Sequence, residues 1–275
     1  MKKIKIVTDS TAYITKEYAH SENITVVPLN YVFYEISYKE GFKGEFDEFF
    51  TKLGSTKLFP QTSQPSAGEF VDAFETAFEN DYDEIVAILI SSKLSGTYNS
   101  ALLAKNILED KSITIIDTLT SASNLRYLVE DAVKMVKEGK TSEEIKNFID
   151  EKKNTMHVYL TADTLEYLSR GGRLSAIQST VGNLLNIKPI IQLKDGVLGL
   201  LEKTRGKNKA IAGIIDKIPE DVSKIGVCHA LNIDEATKLK DNLNEKFPMA
   251  LITIDELGPV VGSHLGPKAI GVCFY

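Results

Sequence analysis

Two short strings concentrate hydroxyl groups ahead of helical patterns, Gln61-Thr62-Ser63-Gln64-Pro65-Ser66 and Ser91-Ser92-Lys93-Leu94-Ser95-Gly96-Thr97. Hydroxyls beside a helix N-terminus, with its unpaired amides, are chemistry for a small anion. Gly96 has no side chain, so its amide can come close to a ligand. The same residues have a plainer reading, in which Thr62, Ser66 and Ser95 only cap helices and Gly96 only turns the chain. Two such strings together favour a site over two caps. Of the four arginines, Arg170 and Arg173 flank Gly171-Gly172. Always-charged planar forks on a loop suit phosphate or partner recognition, and a solvated turn is the plain alternative. His264, within Gly262-Ser263-His264-Leu265-Gly266-Pro267, could donate to a carboxylate from a glycine-rich loop, although a lone histidine is often structural.

Other chemistries lack their residues. No GxGxxG or GxxxxGK[ST] string occurs, which disfavours a nucleotide-using enzyme. There is no GxSxG elbow for a serine nucleophile. The four histidines are scattered, and Cys228-His229, adjacent in a strand, would point apart, so no zinc site and no cofactor are expected. Asp9 and Asp117 sit at strand ends without basic or metal partners in sequence, and read as loop caps or hydroxyl acceptors.

The 275 residues carry 32 Lys+Arg against 38 Asp+Glu, a net charge of −6, which excludes a generic nucleic-acid binder. With 43% hydrophobic and 25% charged residues, the chain can bury a core. Its longest apolar run, Ile85 to Ile90, is far short of the roughly 18 residues of a membrane span. Asp9 follows Met1-Lys2-Lys3 before a signal h-region could develop, so no export signal is expected. Cys228 and Cys273 lie far apart and give no disulfide framework, which fits a reducing cytoplasm.

The elements that must position these residues follow a repeating pattern. Lys2–Thr8, Glu84–Ile90, Ser112–Ile116 and Thr155–Leu160 read as strands that end in polar turns, with helices at Ala67–Glu79, Gly96–Glu109, Ser121–Glu138 and Thr141–Lys153. Strand, polar turn and helix make the βαβ unit of a doubly wound, mostly parallel sheet, whose polar loops share one edge. After about residue 162 the texture changes, and Lys194-Asp195-Gly196 marks a turn between two apolar runs. The expected architecture is therefore two α/β domains, residues 1–162 and 163–275, with a ligand at their interface. In the second, Gly206–Ile218 and Ile233–Phe247 read as helices, and Lys224–Cys228 and Ala250–Ile254 as strands.

Taken together, Ile6 to Ala12, Thr62 to Ser66, Ser91 to Ser100, Tyr167 to Ser175 and Gly258 to Gly271 resemble the fatty-acid-binding proteins of the DegV family over nearly the full length. The resemblance implies one long-chain fatty acid enclosed between two domains, its tail in an apolar tunnel. Carried over residue by residue, Thr62 and Ser95 would hydrogen-bond the carboxylate, the Gly96 amide would assist, and His264 would complete the head-group network. Arg170 would lie near the opening, and Arg170 or Arg173 would face a partner. It further implies a lipid-binding subunit, not itself an enzyme, that presents the acyl chain to a separate ATP-binding fatty acid kinase subunit.

Burying about 14 methylenes at roughly 0.8 kcal/mol each gives about 11 kcal/mol of gross driving force, so neutral hydroxyls would suffice at the head. Two other readings stay open: an acyl hydrolase using Ser95 with His264, which needs a carboxylate beside His264, and a kinase in its own right.

Overall fold

The computed structural model describes residues 2–56, 58–173 and 188–275. The chain forms a parallel four-stranded sheet from β1 (Ile4–Asp9), β2 (Thr25–Val27), β6 (Glu84–Leu89) and β7 (Ile113–Asp117), in the order β2-β1-β6-β7. Successive side chains leave opposite faces of a strand. Ile4, Ile6, Val86 and Ile88 therefore meet α5 (Ala122–Lys137) and α6 (Ser142–Lys152), while Val7, Ile85, Ala87 and Leu89 meet α3 (Ala67–Glu79) and α4 (Thr97–Ile107). The unbroken apolar run at Ile85–Ile90 is buried on both faces, as a central parallel strand requires. Ser66 and Thr141 close capping boxes with Glu69 and Glu144, which sets the starts of α3 and α6. A short α1 (Lys16–Ser21) joins β1 to β2.

A second sheet has six strands in the order β10-β9-β8-β13-β11-β12. These are β8 (His157–Thr161), β9 (Lys188–Lys194), β10 (Val197–Thr204), β11 (Lys224–His229), β12 (Leu251–Glu256) and β13 (Ile270–Phe274). Only β11 and β12 pair in parallel. The β9–β10 turn is the expected two-residue one: Asp195 and Gly196 both have positive φ, 52° and 79°, the requirement of a tight hairpin whose twist matches its strands. One face of this sheet packs on α8 (Lys207–Ile215) and α9 (Ile233–Lys246) through Ile225, Val227, Ala210, Ile214, Leu239 and Leu243. Its other face, with Leu160, Leu193, Leu198, Cys228 and Cys273, turns towards the rest of the molecule.

The mixed α/β class and the parallel first sheet are as expected, but one strand is not where the reading put it. The segment read at Thr155–Leu160 as another βαβ unit is β8, and it pairs antiparallel with β9 and β13 in the second sheet. Alternation identifies a strand without choosing its partner, and β13 lies more than a hundred residues further along the chain. The chain thus passes from one sheet to the other between β7 and β8.

Residues 30–63, which carry no long periodic run, form a third sheet of order β4-β3-β5. Its strands are β3 (Asn30–Phe33), β4 (Ile36–Lys39) and β5 (Gln61–Ser63), and α2 (Asp47–Ser55) buries Phe49, Phe50 and Leu53 in the same core as the inner face of the six-stranded sheet.

α5 ties the two large sheets together. Leu125, Leu128 and Val129 belong to the core of the first. From its other side Ser123 bonds Cys228 and Asp255, and Arg126 bonds Asp255, all on the second. No helix among the described residues is long and apolar enough to cross a membrane.

Candidate functional site

A cavity of about 120 Å³, measured as the space open to the centre of a water molecule, lies between the sheets. Its wall is chiefly apolar, including Leu160, Leu168, Leu193, Leu198, Leu257 and Leu265.

Polar groups of the wall come from widely separated parts of the chain. Thr62 and Gln64 come from β5 and the turn after it, Ser95 from the loop after β6, Arg173 from the loop after α7 (Glu166–Arg170), and His264 from α10 (Pro259–Leu265). Pro259 opens α10, and the buried carboxylate of Glu40 accepts its Val260 amide at 2.7 Å and the Ser10 hydroxyl at 2.6 Å. Glu40 thereby fastens the helix that carries His264 to the end of β1. Burial pushes its carboxyl up to about 7, with the Ser10 and Val260 hydrogen bonds opposing.

Thr62 and His264, 202 positions apart, are bonded: Oγ1 of Thr62 lies 2.8 Å from Nε2 of His264. Burial and then the Arg173 charge push the imidazole down to about 4, so the ring is neutral at neutral pH. Its Nδ1 is buried and has no hydrogen-bond partner among the described residues. Gly171 makes room for this ring: a Cβ there would stand 2.1 Å from Nδ1. Ser95 Oγ is 2.8 Å from Thr97 Oγ1, at the start of α4. Gly96 is the N-cap of that helix, against Gln64, and is not among the residues lining the cavity. Gly96 offers α4 no side-chain cap, and the amide of Thr97, the first residue of the helix, is directed at Ser95 Oγ at 3.4 Å.

Of the caps in the plainer reading, only Ser66 is one. Thr62 is a strand residue, and Ser95 stands one position ahead of the N-cap.

The two arginines separate. Arg170 is exposed, paired with Glu166 at 2.9 Å, with its guanidinium 4.0 Å from the Phe59 ring centre. Arg173, expected with it to face a partner, lines the cavity instead, where it donates to the carbonyls of Leu94 and Gly171. The left-handed Gly172 (φ 72°) turns the chain between them, which sends the second arginine inward. Burial lowers the Arg173 pKa, and no carboxylate among the described residues pairs with it. The cavity wall therefore carries a guanidinium beside the neutral hydroxyls that tail burial was expected to make sufficient. The motif string from Tyr167 ends at Leu174 and Ser175, outside the described residues.

Among the described residues no hydrolytic triad is assembled: His264 bonds Thr62 and not Ser95, Ser95 bonds Thr97, and no carboxylate meets Nδ1. Asp9 accepts from the Ile90 amide and from Thr11, and Asp117 from the Ser92 and Leu119 amides, so both are the loop acceptors expected. Arg173 and Gln64 are site residues that the sequence reading placed elsewhere or passed over. The arginine pair around two glycines was the available signal for the first, and the Thr-Ser-Gln-Pro string for the second.

Fold and cavity define an α/β protein of the two-sheet class, with an apolar pocket between the sheets that is lined by a guanidinium without a carboxylate partner among the described residues, a neutral imidazole and hydroxyls. A family model described as "Uncharacterised protein, DegV family" matches residues 3–275, and the chain belongs to the DegV family. It is 39% identical over 280 aligned residues to a DegV domain-containing protein of Halalkalibacterium halodurans, across all of this chain and 99% of that one. The solved structure of DegV, a fatty acid binding protein from Bacillus subtilis, superposes with a TM-score of 0.91 at 34% identity, covering 100% of this chain and 99% of that one. A DegV family protein from Thermus thermophilus, described by its fatty acid binding, superposes with a TM-score of 0.90 at 30% identity, covering 99% of each chain.

Proposed function

We propose that this protein binds one long-chain fatty acid, tail along the leucine-lined cavity and carboxylate at Arg173, His264, Thr62 and Ser95. The observation that carries the reading is the pair of unmet needs at one end of an apolar cavity. Arg173 has no counter-ion and His264 Nδ1 no partner among the described residues, and a carboxylate answers both. Organic extraction of the purified, denatured protein is expected to release about one equivalent of fatty acid, identified by mass spectrometry. A Thr62→Ala, Ser95→Ala double variant is expected to lose most of it. Lipid-free protein that also refuses added fatty acid would overturn the reading.

The proposal extends to presentation of the bound carboxylate to a separate ATP-binding kinase subunit, as a carrier and not a catalyst. The chain has neither glycine-rich phosphate motif. Arg170 stands exposed three residues from the head-group arginine, where a docking partner could reach it. Arg170→Ala protein is expected to bind fatty acid normally and to slow acyl phosphate formation by the partner kinase at least tenfold, about the worth of one charge-assisted contact. An unchanged rate would remove the docking role of Arg170.

A further inference from the structure

The cavity has a second polar station that the carboxylate site leaves unused. Ser121, 7% exposed, lines the cavity, and its Oγ has no hydrogen-bond partner among the described residues. It is the N-cap of the 16-residue α5 yet makes no capping bond, so the hydroxyl is free for something inside the cavity. Two residues on, the same helix end meets two sulfurs. Cys228 and Cys273 are free, buried, on the cavity wall, and 3.6 Å apart at Sγ.

The β11–β13 register explains how cysteines 45 positions apart come together. Cys228 lies opposite Gly271 and Cys273 opposite Gly226, so the thiols stand diagonally on one face with no side chain across from either. The first-turn amides of Ser123 and Asn124 face the two sulfurs. The Ser123 hydroxyl joins Cys228 Sγ, at 3.1 Å, to Asp255 Oδ2, at 2.7 Å. Hydrogen bonding from the Cys273 thiol, against burial, holds the Cys228 thiol below its ordinary value, and the Cys273 thiol, as donor, rises. Two thiols 3.6 Å apart at a helix N-terminus, both on the cavity wall, have the spacing that lets one sulfur attack and the other resolve.

We propose that the cavity also takes a fatty acid bearing a hydroperoxide on its chain, with the peroxide at Ser121 and the α5 N-terminus, and that Cys228 and Cys273 reduce it to the hydroxy acid. This rests on the fatty-acid reading of the cavity. The Cys228 sulfur attacks the terminal peroxide oxygen and the O–O bond breaks. The alkoxide leaves with the thiol proton as the hydroxy acid, and Cys228 becomes a sulfenic acid. The Cys273 sulfur then attacks Cys228 and closes the 3.6 Å gap to a disulfide. The expelled hydroxide takes the Cys273 proton and departs as water. Two electrons pass from the thiol pair to one peroxide, and an external dithiol resets the pair.

The test mixes reduced, delipidated protein with one equivalent of linoleic acid hydroperoxide in a single turnover. Two thiols per chain are expected to disappear as one equivalent of hydroxy acid forms. Hydrogen peroxide at the same concentration is expected to react at least tenfold more slowly, because it lacks the tail that brings the peroxide to Ser121. Cys228→Ser is expected to abolish the reaction, and Cys273→Ser to stop at a sulfenic acid that dimedone captures. Ser121→Ala is expected to slow it roughly tenfold, the worth of one lost hydrogen bond. Displacement of a fluorescent fatty acid by unoxidised linoleic acid, run on each variant, reports folding and tests the fatty-acid reading separately. Intact thiols with recovered hydroperoxide overturn the proposal, whether or not linoleic acid binds. Equal rates with hydrogen peroxide, or an unaffected Ser121→Ala protein, reduce it to ordinary thiol oxidation and overturn it as well.

Discussion

Replacing Gly171 with alanine is expected to lower fatty-acid affinity by one to two orders of magnitude, although residue 171 itself offers a ligand no side chain. The added Cβ would meet His264 at 2.1 Å from Nδ1 and 2.8 Å from Cε1, and the Tyr167 carbonyl at 3.1 Å. Real Cβ atoms do not come so close, and the buried ring cannot turn away without leaving Thr62, its partner at 2.8 Å. Losing a charge-assisted head-group contact costs about 1.5–3 kcal/mol, which is the one to two orders of magnitude. Overpacking should also cost about 1–3 kcal/mol of stability. Displacement of a fluorescent fatty acid, with a thermal melt of the same sample, checks both. Full affinity at an unchanged melting temperature would show that His264 does not hold the head group.

The second large effect is on stability. Asp255 is buried between two elements that belong to different layers, and it accepts from Arg126 at 2.6 Å, Lys43 at 2.8 Å and Ser123 at 2.7 Å. Burial pushes its carboxyl up, but the Arg126 and Lys43 charges outweigh that and hold it below the usual aspartate range. Asp255→Ala leaves the Arg126 guanidinium, itself mostly buried, without its main counter-charge. Breaking such a pair costs about 3–5 kcal/mol, so the melting temperature at pH 7 should fall by roughly 10 °C. The sign with pH follows from the depressed value. The contribution is complete above the unfolded-state pKa of about 3.9 and is lost as pH falls through the lower folded value. The gap between wild type and variant should hold from pH 8 to pH 5 and narrow only in stronger acid. A variant as stable as wild type at pH 7 would show that the network is neutral. The same residue links α5 to the second sheet through Ser123, so a destabilised Asp255→Ala protein should also loosen the wall that carries Cys228.

What the amino-acid sequence determined by itself is the part governed by neighbours within one turn or one strand. The unbroken apolar run Ile85–Ile90, the Ser66 and Thr141 capping boxes and the Asp195-Gly196 turn are local, because strand patterning, helix capping and turn conformation depend on residues a few positions apart. The hydroxyl strings at Thr62 and Ser95 were legible for the same reason: each lies within a short loop segment or strand end, and both do reach the cavity.

Tertiary structure alone decided which sheet receives β8, that Arg173 turns inward while Arg170 stays outside, that Thr62 meets His264, and that Cys228 meets Cys273. Each of these is a pairing, or a choice of face, set by elements far apart along the chain. Strand register and the burial of a charge are settled by the whole packed core, and the periodicity of one segment carries no record of the partner it will find.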